Sequence, residues 1–136
     1  MNNRKAFILT VTVIMTLGIF ATCKKKSDSC SGQPAITATT TPAVNSVEAP
    51  APGPDFSLHV AITSTVPSAG VDVQVKARPE NSTTPFFTQT KSSFISGIDF
   101  TITGTPINIP SIVEITITSK SCSSIKWTGS YRYSRK

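Results

Sequence analysis

The amino-acid sequence predicts an all-β protein of seven short strands arranged in two sheets, and three observations predict it. Apolar and polar residues alternate with a period of two in five separate stretches of residues 33–136. No window of that region carries a convincing helical period. Proline, glycine, asparagine and serine collect between the alternating stretches, with 10 prolines among 136 residues, which is how turns between short strands read.

Residues 34–42 are rich in threonine and predict a first edge strand, with Pro34 and Pro42 at its ends, where a missing N–H harms a ladder least. Residues 49–54 alternate proline with small residues and predict a stiff connector. Phe56, Leu58, Val60 and Ile62 then alternate with Ser57, His59, Ala61 and Thr63, as in a strand with one buried face. Pro67, Ser68, Ala69 and Gly70 make a turn, after which Val71, Val73, Val75 and Ala77 point inward and Asp72, Gln74, Lys76 and Arg78 outward, up to Pro79. Residues 85–91 predict a shorter strand at a sheet edge, in which one of Phe86 and Phe87 must face outward. Ile98, Phe100 and Ile102, and then Val113, Ile115 and Ile117, repeat the alternation. The last strand places Trp127, Gly129, Tyr131 and Tyr133 on one parity, opposite Lys126, Thr128, Ser130 and Arg132.

Seven such strands over about 100 residues fit a two-sheet sandwich of immunoglobulin-like type, with a closed barrel as the alternative. The region from residue 34 onward also resembles the single immunoglobulin-like domains of bacterial surface lipoproteins. Thr116, Ile117, Thr118 and Ser119, a loop, and then Trp127, Thr128, Gly129, Ser130 and Tyr131 resemble their last two strands. The resemblance implies adhesion, display or assembly rather than a reaction, on an architecture that hosts many functions. The antibody-type cysteine pair and its strand tryptophan are missing.

The N-terminal region reads differently. Arg4 and Lys5 precede an apolar stretch over residues 6–21, the pattern of a secretion signal. The stretch falls short of the 20 or so residues that span a bilayer. It ends at Phe20, Ala21, Thr22 and Cys23, which resembles the lipobox of bacterial lipoproteins, with Phe20 where leucine is common and Thr22 where a smaller residue is common. A general signal peptidase prefers an Ala-x-Ala-like site, which this boundary lacks. The expected organisation is therefore a lipoprotein signal peptide over residues 1–22, lipidation on Cys23, a polar tether over residues 23–32 and the sandwich over residues 33–136. The basic run Lys24, Lys25 and Lys26 after the cysteine is similar to that of some Gram-negative lipoproteins. The resemblance implies an envelope location, at the outer membrane, in either a periplasmic or a surface-facing leaflet.

The formal charge of +6 comes from 13 basic and 7 acidic residues, but much of it sits in the signal, the tether and the last two residues. Between Gln33 and Arg132 the positive residues Lys76, Arg78, Lys91, Lys120, Lys126 and Arg132 are matched by Glu48, Asp55, Asp72, Glu80, Asp99 and Glu114. A near-neutral body without a nucleic-acid-binding motif excludes nucleic acid as the expected partner.

Hydrolytic chemistry needs a nucleophile, a base and an orienting group, and the one histidine, His59, falls on the polar parity of its strand. A solvated or cross-strand role is expected for it. No catalytic residue, cofactor or metal site is expected, and Asp72, Asp99 and Glu114 read as isolated solubilising positions. With Cys23 acylated, Cys30 and Cys122 remain as an even pair in an oxidising compartment. Sequence alone carries no geometry, so a bridge and two free thiols are equally open. Trp127, Tyr131 and Tyr133 form either a binding strip for a protein or glycan or the core face of the last strand, the commoner role of such a row. The expectation for the whole is a non-enzymatic, membrane-anchored binding or adhesion module, with an accessory subunit of an envelope complex as the second reading.

Overall fold

The computed structural model describes residues 30–136. The expected signal peptide, Cys23 and most of the expected tether lie outside the described residues. Seven strands form: β1 (Ala38–Thr41), β2 (Phe56–Ile62), β3 (Val71–Pro79), β4 (Phe87–Ser93), β5 (Gly97–Ile102), β6 (Ser111–Ser119) and β7 (Lys126–Tyr133). They make two antiparallel sheets, one in the order β1-β2-β5 and the other β4-β3-β6-β7. No helix occurs among the described residues.

The core explains why the sheets meet face to face. Val71, Val73, Val75 and Ala77 of β3, with Val113, Ile115 and Ile117 of β6, present a fully buried row of β-branched and small residues. Opposite them lie Leu58, Val60 and Ile62 of β2 and Ile98, Phe100 and Ile102 of β5, all in one cluster. β-Branched side chains lose little rotamer freedom on a pleated surface. Each fully buried one contributes about 1.5–3 kcal/mol of transfer free energy. The register is fixed because a slip of one residue would send the whole row into water.

The structure departs from the sequence expectation at three places. β1 is confined to Ala38–Thr41 rather than spanning 34–42, although Ile36 upstream of it is already buried in the core. β4 begins at Phe87, two residues later than expected, because Pro85 has no N–H and the ladder opens with the Phe86 amide donating to Ala77 O. It then runs on to Ser93, paired with Val71. The third departure is the connector after β1. Beyond the cis peptide Thr41-Pro42 the chain leaves β2 and runs parallel to β7. The Asn45 and Glu48 amides donate to Ser130 O and Arg132 O, and the Ala51 amide to Ser134 O. Segment 45–51, of which only residues 49–51 fall in the expected stiff connector, thus covers the otherwise free edge of the four-stranded sheet.

Candidate functional site: the disulfide-pinned end

One end of the molecule gathers the start of β1 and the loops 63–70, 94–96 and 120–125. The registers bring them together: Val71 pairs with both Ser93 and Ser119, and Ala38 with Ile62. Cys30 and Cys122 form a disulfide here, with Cα atoms 5.1 Å apart and 92 positions apart in sequence. Beside the bridge the Gln33 side-chain amide donates to Ser121 Oγ at 2.6 Å, while its carbonyl accepts from Ser119 Oγ at 3.2 Å. The entering chain is therefore held covalently and by a part-buried polar cluster.

Loop 94–96 carries the most exposed apolar pair of this end. Phe94 and Ile95 are 68% and 69% exposed, yet the loop is internally braced. The Ser93 hydroxyl donates to Ile95 O at 2.9 Å and accepts from the Ile95 amide at 3.1 Å. Gly70, at φ +80°, allows the close approach, since a Cβ there would lie 2.7 Å from Ser93 O and 3.1 Å from the Phe94 ring. Lys120 Nζ stands 5.9 Å from the centre of the Phe94 ring and 3.6 Å from Asp72 Oδ1. Sequence reasoning passed over Phe94 and Ile95. The available signal was two consecutive large apolar residues between Ser92-Ser93 and Ser96-Gly97, where alternation stops.

Burial separates the two readings of the aromatic row of β7. Tyr131 and Tyr133 are buried in the core, at 2% and 4% exposure, so they cannot form a surface strip with Trp127. Tyr133 packs edge-on to Phe56, with ring centres 4.7 Å apart, and shares a 2.6 Å hydroxyl hydrogen bond with Thr105. The Tyr131 hydroxyl is buried with no hydrogen-bond partner. Burial disfavours the charged phenolate, so both phenols titrate above the usual tyrosine range, Tyr131 by more. Trp127 alone of the three is half-buried, packed against the core cluster. Its ring lies across Gly129, where a Cβ would stand 2.6 Å from Trp127 and 2.5 Å from Val44. A shallow cleft of about 550 Å³ opens beside it, lined among others by Val44, Glu114, Thr116, Thr128 and Ser130.

The acidic positions are not isolated, contrary to expectation, because the folded strands set each beside a histidine, lysine or arginine side chain. His59 pairs with Asp99 across β2 and β5, with Nδ1 to Oδ1 2.6 Å, both exposed. Arg78 Nη2 lies 2.7 Å from Glu114 Oε1 and Arg132 Nε 2.7 Å from Glu80 Oε1. These are surface pairs, spread over both sheets, each of small energetic weight. Among the described residues no group of three or more His, Cys, Asp or Glu residues could hold a metal ion, and no helix is long and apolar enough to cross a membrane.

The chain matches no protein-family model, and no curated protein shows significant similarity to it.

Proposed function

We propose that this chain is a non-enzymatic, lipid-anchored module of the bacterial cell envelope, an immunoglobulin-like sandwich held at the outer membrane through Cys23. The observation that carries the reading is the convergence of sequence and structure at the entry point. A signal-like stretch ends at a lipobox-like cysteine, and seven residues later Cys30 is bonded to Cys122 of the sandwich. A bridge between tether and domain suits an oxidising compartment outside the cytoplasm. The immunoglobulin-like assignment rests on the sheet orders β1-β2-β5 and β4-β3-β6-β7, together with the segment after β1 that changes sheets to run parallel to β7. Its expected role is to bind a protein or glycan ligand through loops of the sandwich.

The test has two parts. Intact mass of the membrane-extracted chain should equal residues 23–136 plus acyl groups; an unmodified mass removes the anchor. Antibody labelling of intact against permeabilised cells then assigns the leaflet, and labelling confined to the cytoplasm overturns the envelope reading.

A second reading is favoured by β4. It is the free edge of the four-stranded sheet, and residues 88–92 within it are exposed, so it can accept a strand from another protein. An accessory subunit would co-purify with a stoichiometric partner and lose it on Thr90→Pro, which removes an edge N–H.

A further inference from the structure

The geometry points to a second membrane contact: the Phe94-Ile95 loop inserts into the surface of the bilayer that holds the anchor and so stands the sandwich on its pinned end. The inference rests on the lipid-anchor reading and deepens it.

The length of chain outside the sandwich sets the distance. Cys23 and Cys30 are seven residues apart, which spans about 25 Å when fully extended and less in any relaxed form. Because Cys30 is bonded to Cys122, that short leash ends in the β6–β7 loop and not on a free arm. Lys120 belongs to the same loop and stands against Phe94. The apolar tip and the leash therefore leave the domain at one end. Strands β3 and β6, of nine residues each, hold the opposite end about 30 Å away.

The chemistry of the tip suits a lipid surface. Phe94 and Ile95 offer adjacent apolar side chains, whose burial in the headgroup and acyl boundary is favourable. The hydrogen bonds of Ser93 to Ile95 fix the loop, so little conformational freedom has to be lost on contact. The Lys120 ammonium beside the ring can reach lipid phosphates, although Asp72 shares it. The sequence adds Lys24, Lys25 and Lys26 directly after the anchor cysteine, and basic residues beside a bilayer are attracted to anionic headgroups. Other exposed apolar residues, Val47, Ile107 and Ile109, lie in the loops of the opposite end and are out of reach of the same bilayer.

The experiment uses the full lipidated chain in vesicles of phosphatidylethanolamine and phosphatidylglycerol, with and without brominated acyl chains. An Ile95→Trp chain and a Val47→Trp chain are compared with the parent, whose Trp127 supplies the background. Phe94→Trp serves as a second reporter in case one variant folds poorly. The expected result is that Ile95→Trp adds emission that is blue-shifted and quenched at least twofold by bromine. Val47→Trp adds emission that is not quenched, and Phe94→Asp in the Ile95→Trp chain abolishes the quenching. If both loop reporters are quenched no more than Val47→Trp on vesicles that carry the chain through flotation, the second contact is overturned and the anchor stands. If the chain does not float, the anchor reading falls and the contact with it.

Discussion

At the end where the chain enters, closure is covalent and polar: the Cys30–Cys122 bridge, the Gln33 cluster and the tight approach of Gly70 to Ser93. At the opposite end there is no covalent link among the described residues. Closure there depends on the parallel contacts of residues 45–51 with β7, on Tyr133 with Thr105, and on Arg135 Nη1 donating to Thr105 O. The first end is stabilised largely through the unfolded chain, whose freedom the bridge restricts. The second is stabilised only by what the folded state gains. The two ends should therefore respond differently to the same kind of perturbation.

The largest effect is expected from removing the bridge. Cys30→Ser with Cys122→Ser should lower unfolding free energy by about 2–5 kcal/mol, read as a reduced denaturant midpoint with a changed slope, because the unfolded ensemble expands. A loss below that range would put the weight of the pinned end on the Gln33 cluster instead. Next comes Gly70→Ala, which combines a left-handed backbone with a backbone clash and should cost about 2 kcal/mol, and should shift the resonances of Phe94 in an NMR spectrum of the folded variant.

At the far end the two tyrosines sharpen the contrast. Tyr133→Phe strands the buried Thr105 hydroxyl and should cost about 1–2 kcal/mol by chemical denaturation. Tyr131→Phe deletes a hydroxyl that has no partner, so it should be neutral or stabilising by up to about 1 kcal/mol. Equal losses from the two would contradict this account of the far end. The smallest effect at neutral pH is a titration. Because burial raises both phenols above their unfolded value, their contribution is fully present below about pH 10 and is lost as pH rises through the folded values. Stability should fall above about pH 10 by up to about 1.4 kcal/mol per pH unit for each tyrosine. The fall should be shallower in Tyr131→Phe, as tracked by unfolding midpoints across alkaline buffers.

Much of the fold was legible because its inner residues are β-branched and strictly alternate. Val71 to Ala77 and Val113 to Ile117 announce strands, and the same alternation assigns their buried face. The parity of β7 was legible too, although not how deep each position lies. Trp127 and Tyr131 share a face, yet one ring is half-buried across Gly129 beside Val44 and the other lies in the core, a difference that parity does not carry. What the sequence hides is main-chain pairing. The amides of Asn45, Glu48 and Ala51 bond to β7 without any side-chain pattern, so Ala51 reads as connector and Asn45 and Glu48 carry no signal at all. The Phe94-Ile95 tip was missed for the opposite reason, since a two-residue apolar step has no period to detect. Cys30 and Cys122 could be counted but not paired, because a bridge is a statement about distance.

The bridge also has a mechanical consequence. A pull arriving through the tether at Cys30 passes into Cys122 by way of the two sulfurs and bypasses the chain between them, 92 positions in sequence. Strands β1 to β6 can then yield no slack under load, whatever becomes of their hydrogen bonds. Extension is confined to the chain beyond Cys122, which includes β7. That strand is held on one side by β6 and on the other by the parallel segment 45–51, so it is loaded in shear across two ladders. With the bridge intact the domain should behave under tension as a short, stiff link, and reduction of one bond would turn it into a long extensible one.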